Sequence, residues 1–160
     1  MNHIKDYIKL LQESLKKKLE IIEELQSITK EQSAILTNKD LDMDAFEGTM
    51  NKKDGLIKKV TLIDDGFNGI YDRVRTEIKE HTHLYKEEVS LMKELITQIS
   101  NITVEIQIME QANKNLLDSH YKRVNTKVRR FNKGSRQSLA YYKNATSGVI
   151  ENSYLMDERN

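Results

Sequence analysis

Four histidines and two adjacent pairs of acids are the first residues in this chain that could do chemistry. His81 and His83 stand two apart, which on a helix turns them about 200° away from each other. The sequence has no cysteine, and no two histidines are spaced i, i+4, so the ligand spacing of a zinc site is missing. Glu77 and His81 do share a helix face at i, i+4. A single Glu–His pair is common on any charged helix, and the reading is a structural or solvated role. The acids of Asp64-Asp65 and Glu87-Glu88 are sequence neighbours, whose side chains diverge on a helix rather than meeting over a substrate. Neither a phosphate-cradling loop, nor a nucleophile elbow, nor a dinucleotide fingerprint can be found in the sequence. No catalytic, cofactor-binding or metal-ligating residue is expected, and the chain is read as a binding protein, not an enzyme.

A basic block is the second feature. Between Ser119 and Ile150 there is no acid, while Lys122, Arg123, Lys127, Arg129, Arg130, Lys133, Arg136 and Lys143 are all positive. The whole chain carries only +1, so the remainder is net negative. Such asymmetry invites a nucleic-acid reading. Helical geometry weakens it. With Lys122 at zero, the basic residues up to Lys133 fall between about 340° and 140°, and Tyr121, Val124, Val128 and Phe131 between about 180° and 260°. The aromatics therefore face packing, not bases. A solvated face, an acidic protein surface and nucleic acid stay open in that order, with no nucleic-acid partner expected.

The third feature is the ending, "YYKNATSGVIENSYLMDERN". Chain ends usually carry small polar residues, yet this one holds Tyr141, Tyr142, Val149, Ile150, Tyr154, Leu155 and Met156. Leu139, Tyr142, Thr146, Val149 and Ser153 keep rough helical spacing, although Asn-Ala-Thr-Ser-Gly is a poor helix interior. Three fates are open: folding back on the rest of the chain, ordering around a partner, or staying loose. An apolar, marginally helical segment suits coupled folding and binding.

These features must be positioned by long helices. Charged residues make up 32% of the 160 residues and aromatics 6%, which favours helices with narrow apolar stripes over a bulky core. Proline is absent, so loops are expected to be few. The cysteine-free composition fits a reducing compartment. The charged start lacks the apolar stretch of a secretory signal, and no apolar run nears the roughly 18 residues of a membrane span. The expectation is a cytoplasmic, nearly all-helical protein.

Ile4, Ile8, Leu11, Leu15, Ile22, Leu25 and Ile28 recur at three, four and seven, the stripe of an amphipathic helix over about 2–37. Lys18 interrupts this seam. "TNKDLDMD" breaks the pattern, with Asp40 or Asp42 as the helix cap. A second helix over about 42–80 carries Met43, Phe46, Met50, Ile57, Val60, Ile63, Phe67, Ile70, Val74 and Ile78. It also holds Gly48, Gly55, Gly66 and Gly69, each costing about 1 kcal/mol relative to alanine. "DDGFNG" is its weakest place, read as a kink or a close helix contact, with a loop as the alternative. Around "KEHTHLYKEE" the phase slips, with Thr82 as a cap. A third helix over about 83–133 carries Val89, Met92, Ile96, Ile99, Ile106, Met109, Leu117, Tyr121, Val124, Val128 and Phe131, thinning at the polar "EQANKN". The fold class is all-α: an elongated antiparallel hairpin or three-helix bundle over 1–134, with coiled-coil-like helices and a less regular tail over 135–160.

Three stretches together resemble the FlgN family of flagellar type III export chaperones. They are "YIKLLQESLKKKLEIIEELQSITKEQSAIL", the turn and helix "TNKDLDMDAFEGTMNKKDGLIKKVTLIDDGF", and the ending "LAYYKNATSGVIENSYLMDERN". The extra glycines and the long third helix depart from the family pattern. The resemblance implies a cytoplasmic chaperone that binds the C-terminal helices of hook-associated (hook–filament junction) proteins and keeps them soluble and export-competent. It implies that the tail engages the client, through Leu139, Tyr141, Tyr142, Val149, Ile150, Tyr154, Leu155 and Met156. It implies no nucleotide, metal or other cofactor. Export-apparatus components and a second copy of the chain are further partners left open. A FliT-like chaperone for the filament-cap protein and a structural coiled coil are the alternative functions. Against a long continuous coil stand Lys18, the glycines and "EQANKN".

Overall fold

The computed structural model describes residues 2–123. Three long helices account for nearly all of them: α1 (Asn2–Thr37), α2 (Met43–Glu80) and α3 (Lys86–Tyr121). A single 3-10 turn, Thr82–Leu84, lies between α2 and α3. At 1.5 Å per residue each helix is on the order of 55 Å long, so the bundle is elongated. The side chains that meet across the helices set their directions. Lys18 meets Asp64 and Gln32 meets Lys53, so α2 runs antiparallel to α1. Gln26 meets Glu105 and Ser33 meets Asn113, so α3 runs parallel to α1. The chain goes up, down and up, and α1 packs along both partners.

Two apolar clusters lie along the bundle axis. The larger joins Ile8, Leu11, Leu15, Ile22 and Leu25 of α1 to Val60, Phe67 and Val74 of α2 and to Met92, Ile99 and Ile106 of α3. Each fully buried side chain of this kind contributes about 1.5–3 kcal/mol relative to exposure. The smaller gathers Leu36, Phe46, Met50 and Leu117 at the end where α1 turns into α2. Phe67 and Tyr71 stack one turn apart on α2, with ring centroids 5.9 Å apart.

The turn after α1 ends as its residue types require. Asp42 is the N-cap of α2, its Oδ1 accepting from the Ala45 amide at 3.1 Å, so one of the orphan amides of the first turn is satisfied.

Several expectations are corrected. Gly66 and Gly69 neither break α2 nor allow a close contact: the helix is continuous, and a Cβ built at Gly48, Gly55, Gly66 or Gly69 meets no heavy atom within 4 Å. Thr82 does not cap α3. Its hydroxyl donates back to the Ile78 and Lys79 carbonyls and so closes α2, and α3 starts only at Lys86 after buried Tyr85. The expected stripe of α2 is buried at Phe46, Met50, Val60, Phe67, Val74 and Ile78, but Lys53, Leu56 and Tyr71 join it, while Met43, Ile57, Ile63 and Ile70 flank the core half-exposed. The expected course of the third helix to 133, and the segment 135–160, extend beyond the described residues.

Candidate functional site

Lys18, the residue that interrupts the α1 stripe, is 6% exposed and sits inside the seam. Its ammonium donates a hydrogen bond to Asp64 Oδ1 of α2 at 2.6 Å. The Asp64-Asp65 pair is thus divided, with Asp64 drawn to α1 and Asp65 exposed. This pair is structural.

A larger polar group separates the two apolar clusters. Lys53 of α2 is completely buried and ion-pairs with Glu110 of α3, itself buried. Lys53 Nζ also donates to Gln32 Oε1 of α1 at 2.9 Å, and Gln32 Nε2 lies 3.1 Å from Met50 Sδ. Asn113 Nδ2 donates to the Thr29 carbonyl at 3.2 Å, and Ser33 Oγ donates to Asn113 Oδ1 at 2.6 Å. All three helices contribute. Burial pulls the Lys53 ammonium down to about 7, against Asp54, which pulls it up. A slip of one helical turn would carry Lys53 away from Glu110 and into an apolar cluster, leaving a buried charge without its partner. The layer therefore opposes a slip in register between α2 and α3. Sequence reading missed it, although "EQANKN" marked where the α3 stripe thins, and Glu110 and Asn113 are two of those six residues.

At the C-terminal end of α2 the side chains of Glu77, Glu80 and His81 converge, with one candidate ligand atom from each within 4.8 Å of the others. His81 Nδ1 lies 3.3 Å from Glu77 Oε1, and both side chains are partly open to solvent. The i, i+3, i+4 spacing alone brings these groups together. Among the described residues this trio could offer three ligand atoms to a cation, and the hydroxyl of buried Tyr85 donates to Glu77 Oε1 at 3.5 Å. His83 is exposed on the 3-10 turn, and His120 is committed elsewhere.

That commitment lies at the end of the bundle from which the chain leaves. His120 is buried, and its Nε2 lies 2.8 Å from the Leu36 carbonyl of α1. This contact occupies one of the carbonyls that the last turn of α1 leaves without a helical donor. Tyr121 packs half-buried against the small cluster, while Lys122 and Arg123 are exposed. The first residues of the basic block thus divide between packing and solvent as the helical wheel predicts. Lys127, Arg129, Arg130, Lys133, Arg136 and Lys143 lie outside the described residues, as do Leu139, Tyr141, Tyr142, Val149, Ile150, Tyr154, Leu155 and Met156.

The described surface is mostly charged on α1 and α2, and Leu10, Leu62 and Leu84 are isolated exposed apolar residues on α1, α2 and the 3-10 turn. No helix among the described residues is long and apolar enough to cross a membrane. The arrangement offers helix faces and ends for binding another protein.

The family model described as FlgN protein matches residues 1–147. No match was found among curated proteins, and none among solved structures.

Proposed function

The chain belongs to the FlgN family of flagellar export chaperones, and we propose that it binds the C-terminal helical region of hook-associated proteins in the cytoplasm and holds them soluble until export. The observation that carries this reading is the family match, which spans residues 1–147 and so runs from the first helix into the tail. The described helices supply a packed body, and the segment assigned to the client follows it in sequence. The last described contacts, His120 on Leu36 and Tyr121 on the small cluster, fix the end of α3 that leads in sequence toward that segment.

Leu139, Tyr141, Tyr142, Val149, Ile150, Tyr154, Leu155 and Met156 are the residues assigned to the client. An amphipathic client helix buries its stripe against them, and at about 25 cal/mol per Å² a few hundred Å² of apolar contact supports binding once ordering costs are met. The work is done by burial alone, without catalysis or a cofactor. Titration calorimetry of the full chain with a hook-associated protein's C-terminal helix tests it, with Tyr142→Asp, Val149→Asp and Leu155→Asp as the matched variant.

A further inference from the structure

The outer face of α3 differs from the rest of the surface. Among the exposed residues from Thr97 to Ser119 the only charged one is Glu105, with half-buried Lys114 and Asp118 to one side of the strip, and Gln26 Nε2 of α1 draws the Glu105 carboxylate aside with a 2.5 Å hydrogen bond. What remains is an uncharged strip through Asn101, Val104, Ile108, Ala112, Asn115 and Ser119. At its centre Ile108 is 66% exposed and Val104 39%. Two of its polar members bond within the helix, Asn115 Oδ1 accepting from Gln111 and Ser119 donating to the Asn115 carbonyl, so covering that half of the strip strands few polar groups. In a chain of which 32% is charged, so long an uncharged exposed strip marks a contact surface.

We propose that this strip is the resting dock of the chain's own segment Leu139–Met156. Position favours it: the strip ends at Ser119, and the described chain leaves α3 just beyond, at Lys122 and Arg123. Reach favours it, because the residues from Arg123 to Leu139 span up to about 50 Å when extended, and the strip is only about 33 Å long. Charge favours it as well. Across Leu139–Met156 only Lys143 and Glu151 are charged, so an uncharged strip meets a nearly uncharged segment. The small area argues against a second copy. A strip one helix wide offers about 350 Å², well short of the roughly 800 Å² per partner of a stable interface. A tethered segment works at an effective concentration in the millimolar range, where so small a contact suffices.

The consequence rests on the reading of Leu139–Met156 as the client-binding segment. A client must then take that segment from α3, and its apparent affinity falls by the fraction of chains in which the segment is free. The dock keeps an apolar segment covered until a client arrives.

The absence of native cysteine makes the test clean. A nitroxide is placed on Ala112→Cys in the isotope-labelled full chain, with no client present. Amide signals of 139–156 should lose at least half their intensity relative to the reduced label, and Ile108→Asp should restore them. Signals that stay at full intensity overturn the proposal. So does an equal loss when the nitroxide sits on a separate, unlabelled chain, which would assign the strip to a second copy. Because no client is present, either result leaves the client-binding reading to be decided by its own titration. In that titration Ile108→Asp should tighten client binding at least threefold, and unchanged affinity would contradict the regulatory consequence.

Discussion

Lys53 and Glu110 form an ion pair buried between α2 and α3, with Gln32 of α1 accepting a further proton from the same ammonium. Below the lysine's folded-state value near 7, two charges fully withdrawn from water sit between the apolar clusters. Such pairs add little net stability over apolar residues of similar size, yet losing one partner is costly.

Lys53→Met or Glu110→Met alone should therefore lower unfolding stability by about 3–5 kcal/mol. The double variant should return to within about 1 kcal/mol of the parent, a coupling of the size expected for residues in direct contact. Urea unfolding followed by circular dichroism reads all four proteins. A double variant as unstable as the two losses added together would contradict the pairing.

The same lysine makes stability depend on pH. Its folded-state value lies near 7, against an ordinary 10.5, so between those values the unfolded chain holds a proton that the folded chain has released. Stability from this group is complete above about 10.5 and declines as the pH falls toward 7. Unfolding midpoints measured from pH 7 to 10 should rise relative to those of Lys53→Met/Glu110→Met. Parallel profiles for the two proteins would contradict this.

Gly66 and Gly69 lie on the exposed side of a continuous helix, with room for a methyl group. Gly66→Ala and Gly69→Ala should each raise stability by about 0.5–1 kcal/mol, since alanine restricts the unfolded chain and suits the helix. Thermal unfolding checks both, and a loss at either site would show that the position needs glycine for a reason other than space.

Asp42→Ala removes the acceptor of the Ala45 amide at the start of α2 and should cost about 1 kcal/mol. Asp42→Asn, which keeps a capping oxygen, should recover most of the loss. Asp40→Ala, in the preceding turn, should change little.

The architecture could be read from the sequence because α1 and α2 repeat apolar residues every three to four positions without a proline, and Asp42 marks where the second helix starts. The edges of the α2 stripe could not. Ile57, Ile63 and Ile70 look like core residues by type, whereas the face that packs holds Lys53 and Leu56. A lysine in a seam reads as surface until its partner is known, and Glu110 lies on another helix far along the chain. The start of α3 was misplaced for a similar reason: Thr82 has the chemistry of a cap, but its hydroxyl is spent on the end of α2. The site rested on a different kind of information. The apolar ending stood out by composition, and its role came from resemblance to a family that the match over residues 1–147 then established.

Binding of a client helix tests the central claim most directly. The full chain should bind a hook-associated protein's C-terminal helix saturably, and Tyr142→Asp/Val149→Asp/Leu155→Asp should weaken that binding at least tenfold with helicity unchanged. Equal affinity of the parent and this variant for the helix would contradict the assignment of the tail, and no binding by the parent would contradict the client itself.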